Sequence, residues 1–150
     1  MAKAPFILAG IHTLEFATLP ENCNYSEEAN INVDFDFKLN DEHYEKGAFI
    51  VVSMISFIHN DKPFILSKVA TLFKFDIDSW NEYKSEKKIQ IPKHIVDHMC
   101  AINLGTARGI IHARVTGSKV STYYLPTMDI SNLIGGDLVM LNQMNQDEQE

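Results

Sequence analysis

The chain has 150 residues, 45% hydrophobic and 22% charged, with a formal net charge of −7. That is one domain of ordinary globular composition, and its negative balance excludes long-range attraction to nucleic acid or anionic lipid. No stretch reaches the length of a membrane span, and the start lacks a signal-peptide pattern, so a cytoplasmic protein without membrane insertion is expected.

In chain order, the first strand is predicted from Phe6 to Leu19, stopped by Pro20 and the turn-rich Glu21-Asn22-Cys23-Asn24. The second is the clearest. Ile31, Val33, Phe35, Phe37 and Leu39 alternate without error with Asn32, Asp34, Asp36 and Lys38, the mark of a strand with one buried and one wet face. A polar turn, Asn40 to His43, leads to a third strand at Ala48–Ile58. His59 to Pro63 reads as a hairpin connection into a fourth strand, Phe64–Ile77. Four sequential strands with short turns imply an antiparallel meander.

The third strand and the first half of the fourth, Phe64–Leu72, are apolar on both parities. Such antiparallel strands need cover on both faces of the sheet. The remaining chain offers too little helix to cover it twice, so a partner or a client must complete it. After a charged connection, Ser79–Lys88, carrying the only tryptophan, Trp80, the period changes. Pro92 suits a first helical turn. Ile95, Met99, Ile102, Thr106, Ile110 and Ala113 follow at helical spacing, widened by Val96, Cys100, Ala107 and Ile111. Thr116-Gly117 ends this long helix. Val120–Leu125 reads as extended and Pro126 stops it. A shorter helix is expected from Asp129 or Ser131, although Gly135-Gly136 weakens it, and residues 142–150 form a polar, acidic tail expected to be disordered. The fold class is α+β in a single domain.

Chemical motifs are sparse. His94 and His98 share a helix face like a zinc half-site, but no third ligand is identifiable and a solvated face explains them better. Cys23 and Cys100 have neither metal spacing nor a disulfide framework, and Cys100 reads as a small buried hydrophobe. Gly105, Ala107 and Gly109 sit within the long helix, where small residues favour close packing of two helices. Arg108 in that patch either meets a carboxylate across an interface or is solvated. No catalytic constellation emerges, and no cofactor or metal is expected. Of the aromatics, Phe73 and Phe75 are candidates for core or groove. Tyr123 and Tyr124 point to opposite faces of an extended segment, so one of them must face outward or line a groove.

The order of elements, together with Val69–Ile77 (VATLFKFDI), the Ala107-Arg108 pair and Tyr124-Leu125-Pro126 through Leu133, resembles the SecB protein-export chaperone family over nearly the whole chain. The resemblance implies a four-stranded antiparallel sheet followed by one long and one shorter helix. It implies a non-enzymatic holdase that binds unfolded polypeptides without nucleotide and assembles as a homotetramer. It places a client groove at Phe73, Phe75, Tyr123, Tyr124 and Leu125, and an oligomer interface at Gly105, Ala107, Arg108 and Gly109. Docking on the translocation motor SecA carries over to Glu15 and Leu66, while Leu19 and Lys68 stand where further carboxylates belong. A duty other than export, such as serving a toxin–antitoxin pair, is therefore the alternative.

Overall fold

The computed structural model describes residues 4–141, except residues 26, 87, 133 and 134. Its main sheet contains β1 (Phe6–Thr18), β2 (Asn30–Lys38), β3 (Ala48–His59) and β4 (Lys62–Phe75), in the order β1-β4-β3-β2. All three pairings are antiparallel. Only β2, β3 and β4 form the expected meander; β1 lies beside β4 rather than β2. The connection from β1 to β2 is long enough to cross the end of the sheet, and it is tied there to the β3–β4 hairpin. The Leu19 N–H donates to the Phe64 carbonyl at 2.8 Å, and the Asn22 side chain donates to the Pro63 carbonyl at 2.9 Å.

The hairpin turns on Asn60 and Asp61, with φ of 51° and 62°. This left-handed pair matches the right-handed twist of the strands it joins. β2 behaves as its alternation requires: Ile31, Val33, Phe35 and Phe37 turn inward, and the polar residues between them are exposed. On the same inner face lie Phe49, Val51, Ser53, Ile55 and Phe57 of β3 and Phe73, Thr71, Val69, Ser67 and Ile65 of β4, all buried.

Helix α3 (Lys93–Val115) covers that face, burying Ile95, Val96, Met99, Cys100, Asn103, Leu104, Ala107, Ile111 and Val115. The helix is rotated toward the second of its two predicted stripes, so Ile102, Thr106 and Ile110 are only half-buried and Ala113 is exposed. The Cys100 thiol is pushed up to about 12 by burial, as suits an inert core group. Across the sheet, Ile50, Met54, Ile58, Leu66 and Leu72 remain half-buried.

Two short helices replace turns. α1 (Asp41–Lys46) is capped by the Asn40 side chain, which accepts from the His43 N–H at 2.7 Å, and ends at Gly47 with φ of 75°. α2 (Ile77–Tyr83) is capped by Asp76, which accepts the Ser79 N–H at 2.8 Å and the Ser79 hydroxyl at 2.9 Å. These bonds hold the Asp76 carboxyl below its ordinary value. Trp80 anchors α2 through an indole N–H donated to the Tyr44 carbonyl at 2.7 Å.

The expected shorter helix after α3 is not seen among the described residues. Ile130–Asn132 make a single 3-10 turn, and β7 (Leu138–Leu141) pairs with β6 (Lys88–Ile91), which also pairs with β5 (Lys84–Ser85). Leu138 and Met140 pack on the core there, a use of alternating apolar residues that a strand satisfies at once. Val120–Leu125 is likewise no strand: turns run to Thr122, with bonds from the Ser121 N–H to Ser118 and from the Tyr123 N–H to Val120, and the rest is irregular. The acidic tail expected at 142–150 lies outside the described residues.

Candidate functional site

The residues expected to form one groove fall into different places. Phe73 and Phe75 belong to a core cluster with Phe6, Trp80 and Met99. Phe73 is fully buried, and Phe75 only edges a depression with Phe6, Lys74 and Asp76 that shares no residue with the tyrosines. Leu125 is buried in a second cluster with Phe57, Phe64 and Leu104.

Tyr123 and Tyr124 do line a cleft, and here the opposite-face argument holds. Tyr124 is 66% exposed, whereas Tyr123 is half-buried against the ring of Phe64, with centroids 4.8 Å apart. The cleft, of about 470 Å³, lies between the segment after α3 and the β1–β2 connection. Its apolar walls are Tyr25, Ala29, Ile31, Phe57, both tyrosines and Pro126, with Glu27 and Glu28 at the rim. Tyr25 is 53% exposed. Nothing in the sequence alone placed Tyr25 opposite Tyr124, because the pairing depends on a connection crossing the sheet end.

Two anchors shape this cleft. The Tyr123 hydroxyl reaches the carbonyls of Asn24 and Glu27, at 3.2 and 3.3 Å. Burial, followed by a hydrogen bond involving Cys23, pushes that hydroxyl up to about 12, so it stays a donor. Arg108 supplies the other anchor. Its Nε donates to the Leu125 carbonyl at 2.7 Å and its Nη2 to the Pro126 carbonyl at 2.9 Å. Within this chain Arg108 is half-buried and bonds two main-chain carbonyls, fastening the cleft-forming segment to α3.

Ala107 is fully buried against the sheet, because its position on α3 lies on the inward face. Gly105 and Gly109 lie on the open face, with nothing within 4 Å of where a Cβ would stand. Of the positions related to motor docking, Glu15, Leu66 and Lys68 do come together: Glu15 and Lys68 are register partners, and all three line one shallow depression with Met54. Leu19 lies just past β1, bonded to Phe64. β1 itself leaves Ile7, Leu8, Ile11 and Leu14 exposed, and among the described strands pairs only with β4.

Among the described residues, no group of three or more His, Cys, Asp or Glu side chains is placed to hold a metal. His94 and His98 are both exposed, and the His98 ring rests against Phe6 at 5.2 Å. No described helix is long and apolar enough to cross a membrane.

No protein-family model matches the chain, and no curated protein sequence matches it significantly. Among solved structures it is similar to the SecB-like chaperone of Mycobacterium tuberculosis in complex with a ChAD peptide from the HigA1 antitoxin. The TM-score is 0.55 at 10% identity, covering 83% of this chain and 92% of that one. A protein of unknown function from Streptococcus agalactiae aligns over 85% of this chain and 99% of its own, at 14% identity and a TM-score of 0.41, too loosely to carry an argument. The chain has the SecB-like fold.

Proposed function

We propose that this chain is a polypeptide-binding chaperone, a cytoplasmic holdase that keeps non-native chains from aggregating without cofactor or catalysis. The observation that carries this reading is the open cleft in which Tyr25 and Tyr124 stand exposed above apolar walls. Exposed aromatic rings around a concavity present non-directional apolar surface worth roughly 25 cal/mol per Å² buried. Such surface accepts many sequences and few folded ones. The mycobacterial neighbour, solved in complex with a peptide, supports polypeptide binding by this fold.

The test uses reduced, carboxamidomethylated α-lactalbumin as a permanently unfolded client. Tyr25→Ala combined with Tyr124→Ala should weaken its binding by about tenfold or more, roughly 1.4 kcal/mol, while thermal stability stays near that of the parent because both rings are exposed. Unchanged affinity would place client binding elsewhere. The second reading is a subunit serving one fixed partner, such as a toxin–antitoxin pair, and it is favoured by the antitoxin origin of the neighbour's peptide. A holdase suppresses aggregation of unrelated clients; a fixed-partner subunit does not.

Service in protein export is weakened by the outer sheet face. Lys68 sits beside Glu15 and Leu66 there and offsets the one carboxylate. A basic motor segment meeting this face gains little from charge complementarity. Affinity for SecA should be at least about tenfold weaker than in export chaperones. Calorimetry against SecA measures it, and tight, steeply salt-dependent binding would overturn the expectation.

The chain is further proposed to work as a homo-oligomer, a tetramer, built from the exposed edge of β1 and the open Gly105 and Gly109 face of α3.

A further inference from the structure

His59 closes β3 and is only 3% exposed. Its ring stacks on Phe64, with centroids 4.5 Å apart and planes at 13°, and meets the edge of Tyr123 at 5.7 Å. Both ring nitrogens are used. Nδ1 accepts the Asn24 N–H at 2.9 Å, which assigns the ring hydrogen to Nε2, and Nε2 donates to the Glu27 carbonyl at 3.2 Å. Asn24 and Glu27 bracket Tyr25, and Tyr25, Glu27, Glu28 and Ala29 form one wall of the cleft. The same two residues present the carbonyls that the Tyr123 hydroxyl reaches.

We propose that His59 is a positioning residue for this cleft: it holds the Asn24–Glu27 wall against the hairpin, and does so only while Nδ1 is free of a proton. A proton at Nδ1 turns the acceptor into a donor facing the Asn24 N–H. Two donors then oppose each other beside a ring that is itself almost fully buried. The closed wall admits one protonation state and the open wall admits both, so acid favours the open wall.

The ionisable residues on the elements packed against the ring are Cys23 and Tyr25 flanking Asn24, Glu27, whose carbonyl the ring bonds, Tyr123 after α3, and Lys62, its register partner across the hairpin. The ring's two hydrogen bonds go to main-chain groups, so no carboxylate is bonded to it to retain the proton. The functional consequence, loss of client binding in acid, rests on the cleft reading above; the positioning itself does not.

The experiment follows amide hydrogen exchange of the whole chain by NMR, corrected for intrinsic exchange, between about pH 7.5 and 5.5, the range that brackets an ordinary imidazole. Protection at Asn24 should fall at least about tenfold across this range while amides of the β3–β4 ladder keep theirs. His59→Phe retains the ring stack but neither hydrogen bond, and should lower protection at Asn24 at both pH values and remove its pH dependence. His59→Gln retains an acceptor that does not titrate, and should restore protection without pH dependence. Equal protection of Asn24 in the parent at both pH values, or retained protection in His59→Phe, would overturn the proposal. Should His59→Phe fail to fold, the parent's pH profile, read alongside the imidazole resonance of His59, decides alone. In parallel, binding of reduced, carboxamidomethylated α-lactalbumin should weaken with the same pH profile. If Asn24 opens and binding does not change, the positioning is supported and the cleft reading fails.

Discussion

Asn103→Asp should destabilise the chain by about 4 kcal/mol, enough to remove a large part of an ordinary domain's stability. Asn103 lies fully buried on α3 with its Nδ2 directed at the sheet, 3.0 Å from the Val51 carbonyl, 3.2 Å from the Val69 carbonyl and 3.0 Å from Thr71 Oγ1. It is the polar pin between the helix and the two central strands. A carboxylate there would place negative charge against two carbonyl oxygens in a dry site, losing the donors and adding a desolvation cost. Asn103→Leu, which removes the donors without adding a charge, should cost about 2 kcal/mol. That change also removes Asn103 Oδ1, a buried atom without a hydrogen-bond partner, which is why it is milder. Urea unfolding followed by circular dichroism measures both. Two variants within a few tenths of a kcal/mol of the parent would show that α3 is held by its apolar contacts alone.

Ile11→Lys combined with Leu14→Lys should convert the assembled protein to monomers of 17.0 kDa without unfolding them. Ile11 is 47% exposed and Leu14 52%, on a 13-residue strand whose outer edge has no partner among the described strands. A long edge carrying exposed apolar residues is an open template for another strand. A second copy is the occupant that lets the same residues serve both sides of a two-fold interface. Added lysines place like charges across that axis and are the usual means by which solitary edges avoid pairing. Since both side chains already face solvent, the monomer should lose little stability. Light scattering at micromolar concentration is the measurement. A parent that is already monomeric, or a variant that remains fully assembled, would remove β1 from the interface.

Much of the sheet was legible because β2 alternates cleanly and β3 and β4 are apolar on both parities, signals that depend only on local periodicity. The position of β1 was not legible. Whether β1 flanks β2 or β4 depends on the path of a connection whose anchors, Leu19 to Phe64 and Asn22 to Pro63, join residues far apart in sequence. α1 was read as a turn and α2 as a strand end and a charged connection because each is short, although Asn40 and Asp76 are ordinary caps that marked them. The second helix failed at Leu138–Leu141, where four apolar residues fit either period and pairing with β6 decides. At the site, adjacent tyrosines signalled correctly that one must face outward. The bonds Arg108 makes within the chain were not legible because its partners are carbonyls, which every residue carries and no motif advertises. His59 and Asn103 escaped notice for a related reason: a lone polar residue at an inward position stands out only once its hydrogen-bond partners are known.

The most direct measurement compares binding of reduced, carboxamidomethylated α-lactalbumin with binding of the same protein in its native, disulfide-intact form, by fluorescence anisotropy at two salt concentrations. If the cleft is a holdase surface, the unfolded form binds with an affinity little changed by salt and is displaced by unrelated unfolded chains, while the native form does not bind. Equal binding of both forms, or of neither, would contradict the account.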